Sequence, residues 1–344
     1  MSLIKQTGAL PVYKTAKGFI YPWAIEYYEK SDEMIWHKSE INLSQDIKDY
    51  ARDSAESKDT LVKIMRLFVQ NDVMAGTGYD TLLRIIKPTE VRMMLASFND
   101  RESTHVFNYA NFTDTIGLPD SVYTEFLEIP VMSTKTEYLE KAKVRKYEDY
   151  KQSGLSDAQV DREFRKAIAR MIAVYAGGLE GVALMAQFAM LLEYQFKGMY
   201  PGLCTIVEWS VKDEMIHLQG NATLFRTFIA ENSDIWDDTL KYDIYEAIRE
   251  VVSYEHALID YLQADSKFKR YVEYMADNAL KELGMKPNWN IAANPLPYMD
   301  DVVGTVLTDF FSGTVTEYSK SVEGSWGDIE YDKWYDKNIG NNYE

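Results

Sequence analysis

Two stretches decide the fold of this chain, Glu102-Ser103-Thr104-His105 and Glu214-Met215-Ile216-His217. Each is a Glu-x-x-His pair inside a segment whose apolar residues recur at helical spacing. Residues three apart share one face of an α-helix, so each pair can aim a carboxylate and an imidazole at one point. Two such pairs, with one carboxylate from each of two further helices, form the ligand set of a dimetal centre in a four-helix bundle. The sequence therefore predicts an all-α bundle with a central dimetal site.

Two carboxylates with apolar or small neighbours are candidates for the remaining ligands. Asp72 lies in Leu-Phe-Val-Gln-Asn-Asp-Val-Met-Ala-Gly, and Glu180 lies in Gly-Gly-Leu-Glu-Gly-Val-Ala-Leu. Burying an ionised carboxylate is costly unless it is paired or binds a cation, which favours the metal hypothesis for Glu180. For Asp72 a simple polar patch stays open as an alternative, because Gln70 and Asn71 precede it. The predicted ligand set is Asp72, Glu102, His105, Glu180, Glu214 and His217.

This ligand set favours two iron ions or two manganese ions, or one of each. The four carboxylates together match the charge of two divalent cations. Carboxylate-rich, nitrogen-poor coordination suits these metals, whereas structural zinc prefers cysteine or more histidine. A single Glu-x-x-His is better explained as a solvated helix face, but that explanation does not account for both pairs together with two apolar-flanked carboxylates.

Composition excludes several classes of partner and compartment. The 344-residue chain has a formal net charge of −17, which disfavours nucleic acid and anionic membrane surfaces as partners. The single cysteine, Cys204, excludes an internal disulfide framework and fits a reducing cytoplasm. The N-terminus lacks a signal-peptide pattern, and we expect no apolar run long enough to span a bilayer.

The pattern along the chain predicts one helical domain with an extension at each end. Residues 1–20 read as an irregular arm, residues 21–322 as the helical domain, and residues 323–344 as a flexible acidic tail. Adjacent glycines at Gly177-Gly178 predict a distortion within a long helix. Helices are predicted at about 22–36, 57–86, 88–112, 122–126, 138–152, 157–196, 201–232, 235–263, 267–284 and 300–320.

Several segments together resemble the small, radical-generating subunit of class I ribonucleotide reductase, a member of the ferritin-like superfamily. The resemblance covers roughly residues 21–321, and its fold is a ferritin-like helical bundle. Besides the two ligand pairs, it rests on Trp36 with the following Glu-Ile-Asn-Leu-Ser-Gln-Asp, on Tyr109 seven residues after Glu102, and on Asn294-Pro295-Leu296-Pro297-Tyr298. The last motif has tyrosine where the family often has tryptophan.

The resemblance implies a mechanism and partners. The reduced dimetal centre reacts with an oxygen species, either O₂ or superoxide, and takes an electron from Tyr109, leaving a tyrosyl radical. The radical passes through His105, Asp213, Trp36 and a tail tyrosine to a cysteine of a separate large subunit, which reduces ribonucleotides for deoxyribonucleotide synthesis. Tyr331, Tyr335 and Tyr343 all qualify as that tail tyrosine. Further partners are a second copy of the chain and an activating flavoprotein.

The residues themselves agree with this picture, with one departure. Tyr109 lies four residues after His105 on the same helix face, and Asp213 suits an acceptor for the N–H of His105. The pocket of the radical tyrosine is usually apolar, as Leu184 and Phe188 are, but Ser210 stands where an aliphatic residue is common. Whether Tyr109 holds a stable radical or the metal pair itself stores the oxidising equivalent therefore stays open.

Three alternatives remain. The ligand-binding oxidase branch of the same superfamily shares the ligands and has a Tyr–Val crosslink near the metals. Tyr175, five residues before Glu180, favours it, and Ala75, where that branch would place valine, counts against it. A ferritin-like iron-handling protein would need about half this length and no Trp36 relay. A catalytically silent interaction protein would leave the buried carboxylates without an explanation.

Overall fold

The computed structural model describes residues 3–4, 19–151 and 154–302, and in these ranges the chain is helical with no strand. The all-α prediction is therefore confirmed. Most of the predicted arm, the predicted helix beyond Val302 and the whole predicted tail, with Tyr331, Tyr335 and Tyr343, lie outside the described residues. The helices are α1 Pro22–Glu33, α2 Ser44–Arg52, α3 Ala55–Ile85, α4 Thr89–Thr115, α5 Val122–Glu125, α6 Pro130–Ala142, α7 Tyr147–Lys151, α8 Asp157–Ile172, a π-helix Ala173–Leu184, α9 Met185–Phe196, α10 Pro201–Glu231, α11 Asp238–Tyr261 and α12 Lys267–Glu282.

Local sequence explains where the long helices begin. Ser54 caps α3 by accepting the N–H of Ser57, and Asp237 caps α11 by accepting the N–H of Leu240. Ser156 and Gln159 form a reciprocal capping box at the start of α8. Pro201 occupies the first turn of α10, where its missing N–H costs nothing.

Four long elements pack side by side and enclose the core, namely α3, α4, the π-helix and α10. Helix α3 packs along α4, and the π-helix packs against α10, α11 and α12. The buried side chains of these elements form one continuous cluster. The predicted distortion at Gly177-Gly178 is confirmed, because both glycines lie inside the π-helix. A Cβ atom on Gly178 would lie 3.1 Å from Val251 Cγ2, so the glycine lets α11 approach closely.

Three expectations from the sequence differ from the structure. The helix predicted at 138–152 is instead α6 and α7, because the chain leaves the helix after Ala142 and the N–H of Val144 bonds to Met171 Sδ at 3.3 Å. Helix α1 ends at Glu33, so Trp36 lies beyond it. The expectation that no apolar run is long enough for a bilayer was wrong, since Asp157–Phe196 passes that test by length and composition. The 18-residue window that passes the test is 94% buried inside the bundle, as a core helix is.

Candidate dimetal centre

The four core elements bring all six predicted ligands into one buried cluster. Helix α3 carries Asp72, α4 carries the first Glu-x-x-His pair, the π-helix carries Glu180 and α10 carries the second pair. None of the six side chains is more than 2% exposed. Ligand atoms within 4.8 Å of one another form two groups, Asp72, Glu102, His105 and Glu214, and Glu102, Glu180, Glu214 and His217. Glu102 and Glu214 belong to both groups, so the two groups form one continuous site with room for more than one cation.

Both imidazoles turn Nδ1 toward the carboxylates. His217 Nδ1 lies 2.9 Å from Glu102 Oε1 and 3.2 Å from Glu214 Oε2. His105 Nδ1 lies 3.1 Å from Glu214 Oε1. As predicted from the i, i+3 spacing on α4 and α10, each pair directs a carboxylate and an imidazole into the same cluster. Nδ1 is the atom that each histidine would offer to a metal.

The electrostatics of the cluster show an excess of negative charge. Burial raises the pKa of Asp72 and of Glu180 well above the ordinary carboxyl range. Burial opposes the charge of Glu214 as well, but the charge of His217 and a hydrogen bond from His105 outweigh it and hold the pKa of Glu214 at about 2. Burial likewise opposes the charge of His217, but Glu214 and Glu102 raise its pKa to about 10. Protons or cations must therefore neutralise this site.

Asp72 gives the clearest sign that cations fit the cluster. Both of its carboxylate oxygens are fully buried, and neither has a hydrogen-bond donor. A buried carboxylate without a donor is rare in proteins unless it binds an ion. The donor set of four carboxylates and two imidazole nitrogens suits iron or manganese.

Two residues that support Glu180 were not predicted from the sequence. Tyr79 donates its hydroxyl to Glu180 Oε1 at 2.5 Å. Asn221 donates to the Tyr79 hydroxyl at 2.9 Å and to Glu180 Oε2 at 3.3 Å. Tyr79 lies two helical turns after Asp72 and Asn221 one turn after His217, so helical spacing from the predicted ligands is the signal that could have identified both.

Tyr109 lies in an aromatic pocket with one polar contact. It is fully buried, and its hydroxyl donates to Ser210 Oγ at 2.8 Å. Its ring makes an edge-to-face contact with Phe68 at a centroid distance of 4.5 Å, and Phe68 makes a second such contact with Phe188 at 5.1 Å. Burial, followed by the charge of Asp72, raises the pKa of the Tyr109 phenol well above its usual range. The phenol is therefore neutral and protonated, and Ser210 fixes the direction of its O–H.

One carboxylate joins the cluster to Trp36. Asp213 Oδ2 lies 3.0 Å from His105 Nε2 and accepts the indole N–H of Trp36 at 3.0 Å. The rings of Trp36 and His105 are stacked, with centroids 6.0 Å apart and an interplanar angle of 19°. The three residues to which the family resemblance assigns the relay thus form one continuous set of hydrogen bonds. A carboxylate on the outer nitrogen of a metal-binding histidine orients the ring and raises its basicity.

Comparison with known proteins places the chain in a family. The model of the ribonucleotide reductase small chain matches residues 14–295. A probable ribonucleoside-diphosphate reductase small subunit of Invertebrate iridescent virus 3 is 32% identical, over 94% of this chain and 89% of that protein. The ribonucleotide reductase R2 subunit from Clostridium botulinum superposes with a TM-score of 0.77 at 21% identity, over 88% of this chain and 94% of that chain. An R2-like ligand-binding oxidase superposes with a TM-score of 0.62 at 18% identity, over 82% of this chain and all of that chain. The structural matches establish the ferritin-like R2 fold, and the family match shows that this chain belongs to the ribonucleotide reductase small-chain family.

Proposed function

We propose that this chain is the radical-generating small subunit of a ribonucleoside-diphosphate reductase, with Tyr109 as the oxidised residue. The observation that carries the proposal is the Asp213 carboxylate, whose Oδ2 lies 3.0 Å from both His105 Nε2 and Trp36 Nε1. An iron-storing or silent bundle has no need of a buried hydrogen-bonded link from a ligand histidine to an indole. A subunit that exchanges electrons with another protein does need one.

The six clustered residues would hold two iron or manganese ions, or one of each. With O₂ or superoxide, metals bound there would provide a strong one-electron oxidant. The protein excludes water from the site, because all six side chains are buried. Tyr79 and Asn221 fix the orientation of Glu180, and Asp213 fixes that of His105.

Tyr109 is suited to hold an oxidising equivalent because of its surroundings. Its ring is enclosed by Phe68 and neighbouring apolar side chains, which keep soluble reductants away. Ser210 Oγ accepts the phenol O–H at 2.8 Å, which holds the hydroxyl in one orientation. Removal of one electron from Tyr109, with its phenolic proton accepted by a carboxylate of the cluster, would leave a neutral phenoxyl radical. Onward transfer would proceed through His105, Asp213 and Trp36.

The reductase large subunit is the proposed recipient, reached through the tail after Glu323 and one of Tyr331, Tyr335 or Tyr343. A second copy of the chain and an activating flavoprotein are further proposed partners. Deleting the residues after Glu323 should abolish turnover with the large subunit and leave the metal content unchanged. Full turnover by the truncated chain would show that the tail has been assigned the wrong role.

The direct test compares Trp36→Phe with Trp23→Phe in the assembled reductase. Both variants should bind two metal ions and show the Tyr109 radical by EPR. Trp36→Phe should lose at least about 99% of turnover, corresponding to about 2.7 kcal/mol or more of barrier. Trp23→Phe is the matched control, since Trp23 packs on Tyr21 and takes no part in the link to Asp213. Wild-type turnover by Trp36→Phe would contradict the proposal.

A ligand-binding oxidase is the second candidate, and Tyr175 is the observation that favours it. Tyr175, Ala75 and Glu180 line one cavity beside the cluster. The cavity has a volume of about 10 Å³, room for about one water molecule rather than a long-chain ligand. The Tyr175 hydroxyl bonds to the Leu139 carbonyl at 3.1 Å. Peptide mass spectrometry after aerobic metal loading distinguishes the two functions. A crosslinked Tyr175 peptide would favour the oxidase, and an unmodified Tyr175 peptide would favour the reductase subunit.

A further inference from the structure

Trp36 is almost completely shielded from solvent, since it is only 5% exposed. Within the described ranges, its aromatic contacts are with the rings of His105 and Trp209. The centroids of Trp36 and Trp209 are 5.3 Å apart, at an interplanar angle of 57°. The distance from Trp36 to Trp209 is therefore shorter than the 6.0 Å from Trp36 to His105.

Trp209 differs from Trp36 in its position. It is half-buried, whereas Trp36 is buried. It lies on α10 four residues before Asp213, so both side chains lie on the same face of that helix. The helix that carries the second ligand pair thus also carries an oxidisable indole between the buried link and the solvent.

We propose that Trp209 is the surface-side relay residue of the electron path, with the order His105, Asp213, Trp36 and Trp209. The proposal rests on the proposed function, because that function supplies the oxidising equivalent. Electron transfer between aromatic rings falls steeply with distance, and van der Waals contact between two indoles is the favourable case. Trp209 also has the partial exposure that exchange with a donor outside the subunit requires.

The proposed step transfers one electron and breaks no bond. An electron passes from the indole of Trp209 to the one-electron-oxidised indole of Trp36. Trp36 is thereby reduced, and Trp209 becomes the oxidised indole cation, with no proton moving between them. A one-electron donor at the surface, either a phenol of the assembled reductase or a soluble reductant, then reduces Trp209.

The test follows the reduction of the Tyr109 radical by hydroxyurea in the full-length, metal-loaded protein. Trp209→Phe should slow the decay of the EPR signal by about tenfold or more, since phenylalanine is much harder to oxidise. Trp209→Tyr, which restores an oxidisable ring, should recover most of the rate. Trp236→Phe is the matched control, because Trp236 is also half-buried but packs on Phe225. Metal content and thermal unfolding are measured for each variant.

Each outcome decides the role of Trp209. Slow decay in Trp209→Phe, recovery in Trp209→Tyr and a wild-type rate in Trp236→Phe support the proposal. An unchanged rate in Trp209→Phe overturns it, and so does slow decay in both Trp209 variants, which indicates a packing role. If the wild type forms no Tyr109 radical, the assignment of Tyr109 fails. In that case the rate at which hydroxyurea reduces the oxidised metal pair is compared among the same variants, and this rate still tests whether Trp209 relays electrons.

Discussion

Two buried clusters of charged side chains lie in this bundle, and they are built differently. In one, Lys135 Nζ lies 2.5 Å from Glu255 Oε1, and both side chains are almost completely buried. Gln187 bonds to Glu255 at 3.5 Å and to Asn71 at 3.1 Å, so the pair continues into a neutral hydrogen-bonded chain. The other is the candidate dimetal centre, where four carboxylates meet two imidazoles and Asp72 has no donor at all.

The difference shows how buried charge can be assigned to structure or to function. The Lys135 cluster contains its own counter-charge, so the folded protein needs nothing more to neutralise it. The dimetal cluster has an excess of acceptors that the described side chains do not satisfy. Because unpaired buried charge is costly, that excess is evidence for cations supplied from outside the chain. Asn71 and Asp72 are neighbours on α3, but Asn71 belongs to the Lys135 cluster and Asp72 to the dimetal cluster.

Metal loading should produce the largest difference between the clusters. Each ion at a concentration about a thousandfold above its Kd stabilises the fold by about 4 kcal/mol, because it binds the native state alone. We therefore expect a large rise in unfolding temperature on adding Mn²⁺ to the metal-free protein, reversed by a chelator. Asp72→Asn should lose most of this metal-induced rise in unfolding temperature. Gln187→Glu, a change at the Lys135 cluster, should retain the rise. Equal responses in wild type and Asp72→Asn would refute the assignment of Asp72.

Breaking the ion pair should have the next largest effect, and it should be independent of metal. Glu255→Gln leaves Lys135 buried without its counter-charge and should cost about 3–5 kcal/mol in unfolding free energy. In metal-free protein, Glu180→Gln should cost less than about 1.5 kcal/mol, because burial already favours the neutral form of Glu180. Chemical denaturation of both metal-free variants checks the contrast. The double change Lys135→Met with Glu255→Leu should recover much of the loss.

Metal affinity at the dimetal cluster should also depend on pH. In the metal-free protein the pKa of His217 is about 10, and those of Asp72 and Glu180 are raised by burial. A bound ion requires the deprotonated ligands, so binding releases protons and affinity rises with pH. Each proton released changes the binding free energy by about 1.4 kcal/mol per pH unit. Titration with Mn²⁺ at several pH values should show affinity falling as the solution becomes more acidic.

Tyr79→Phe should have the smallest of these effects. It removes one hydrogen bond to Glu180 but leaves that of Asn221, so metal affinity should fall by about 1 kcal/mol, roughly fivefold. Tyr271→Phe is the matched control, as Tyr271 is fully buried on α12 and is not bonded to a ligand. Competition with a calibrated chelator measures both variants. A larger loss in Tyr271→Phe would show that buried tyrosines act on the site through packing alone.

Spacing made the ligands predictable from the sequence, while contacts between distant segments were harder to foresee. The Glu-x-x-His pairs specify a shared helix face, and the apolar surroundings of Glu180 specify burial. The link from Asp213 to Trp36 was expected from the family resemblance, and the structure gives it a geometry. Tyr79 and Asn221 share a helix face with a predicted ligand, but they were missed because buried tyrosines and asparagines are common and their contact with Glu180 is made between distant segments.

The predicted helix boundaries were wrong where tertiary packing overrides the local periodicity of apolar residues. The break between α6 and α7 follows from the burial of Val144 against Met171, a contact across 27 residues. The apolar run of α8 and α9 resembles a membrane span in composition, and burial inside the bundle explains its hydropathy. The π-helix contains Gly177 and Gly178, which the sequence did identify as a point of distortion.

The role of Tyr109 beside a dimetal centre is decided by metal analysis combined with EPR on wild type and Tyr109→Phe. We expect two iron or manganese ions per chain in both proteins, with a tyrosyl signal present in the wild type and absent in the variant. Tyr271→Phe should keep the signal. An absence of bound metal in the wild type, or a tyrosyl signal that persists in Tyr109→Phe, would contradict the account.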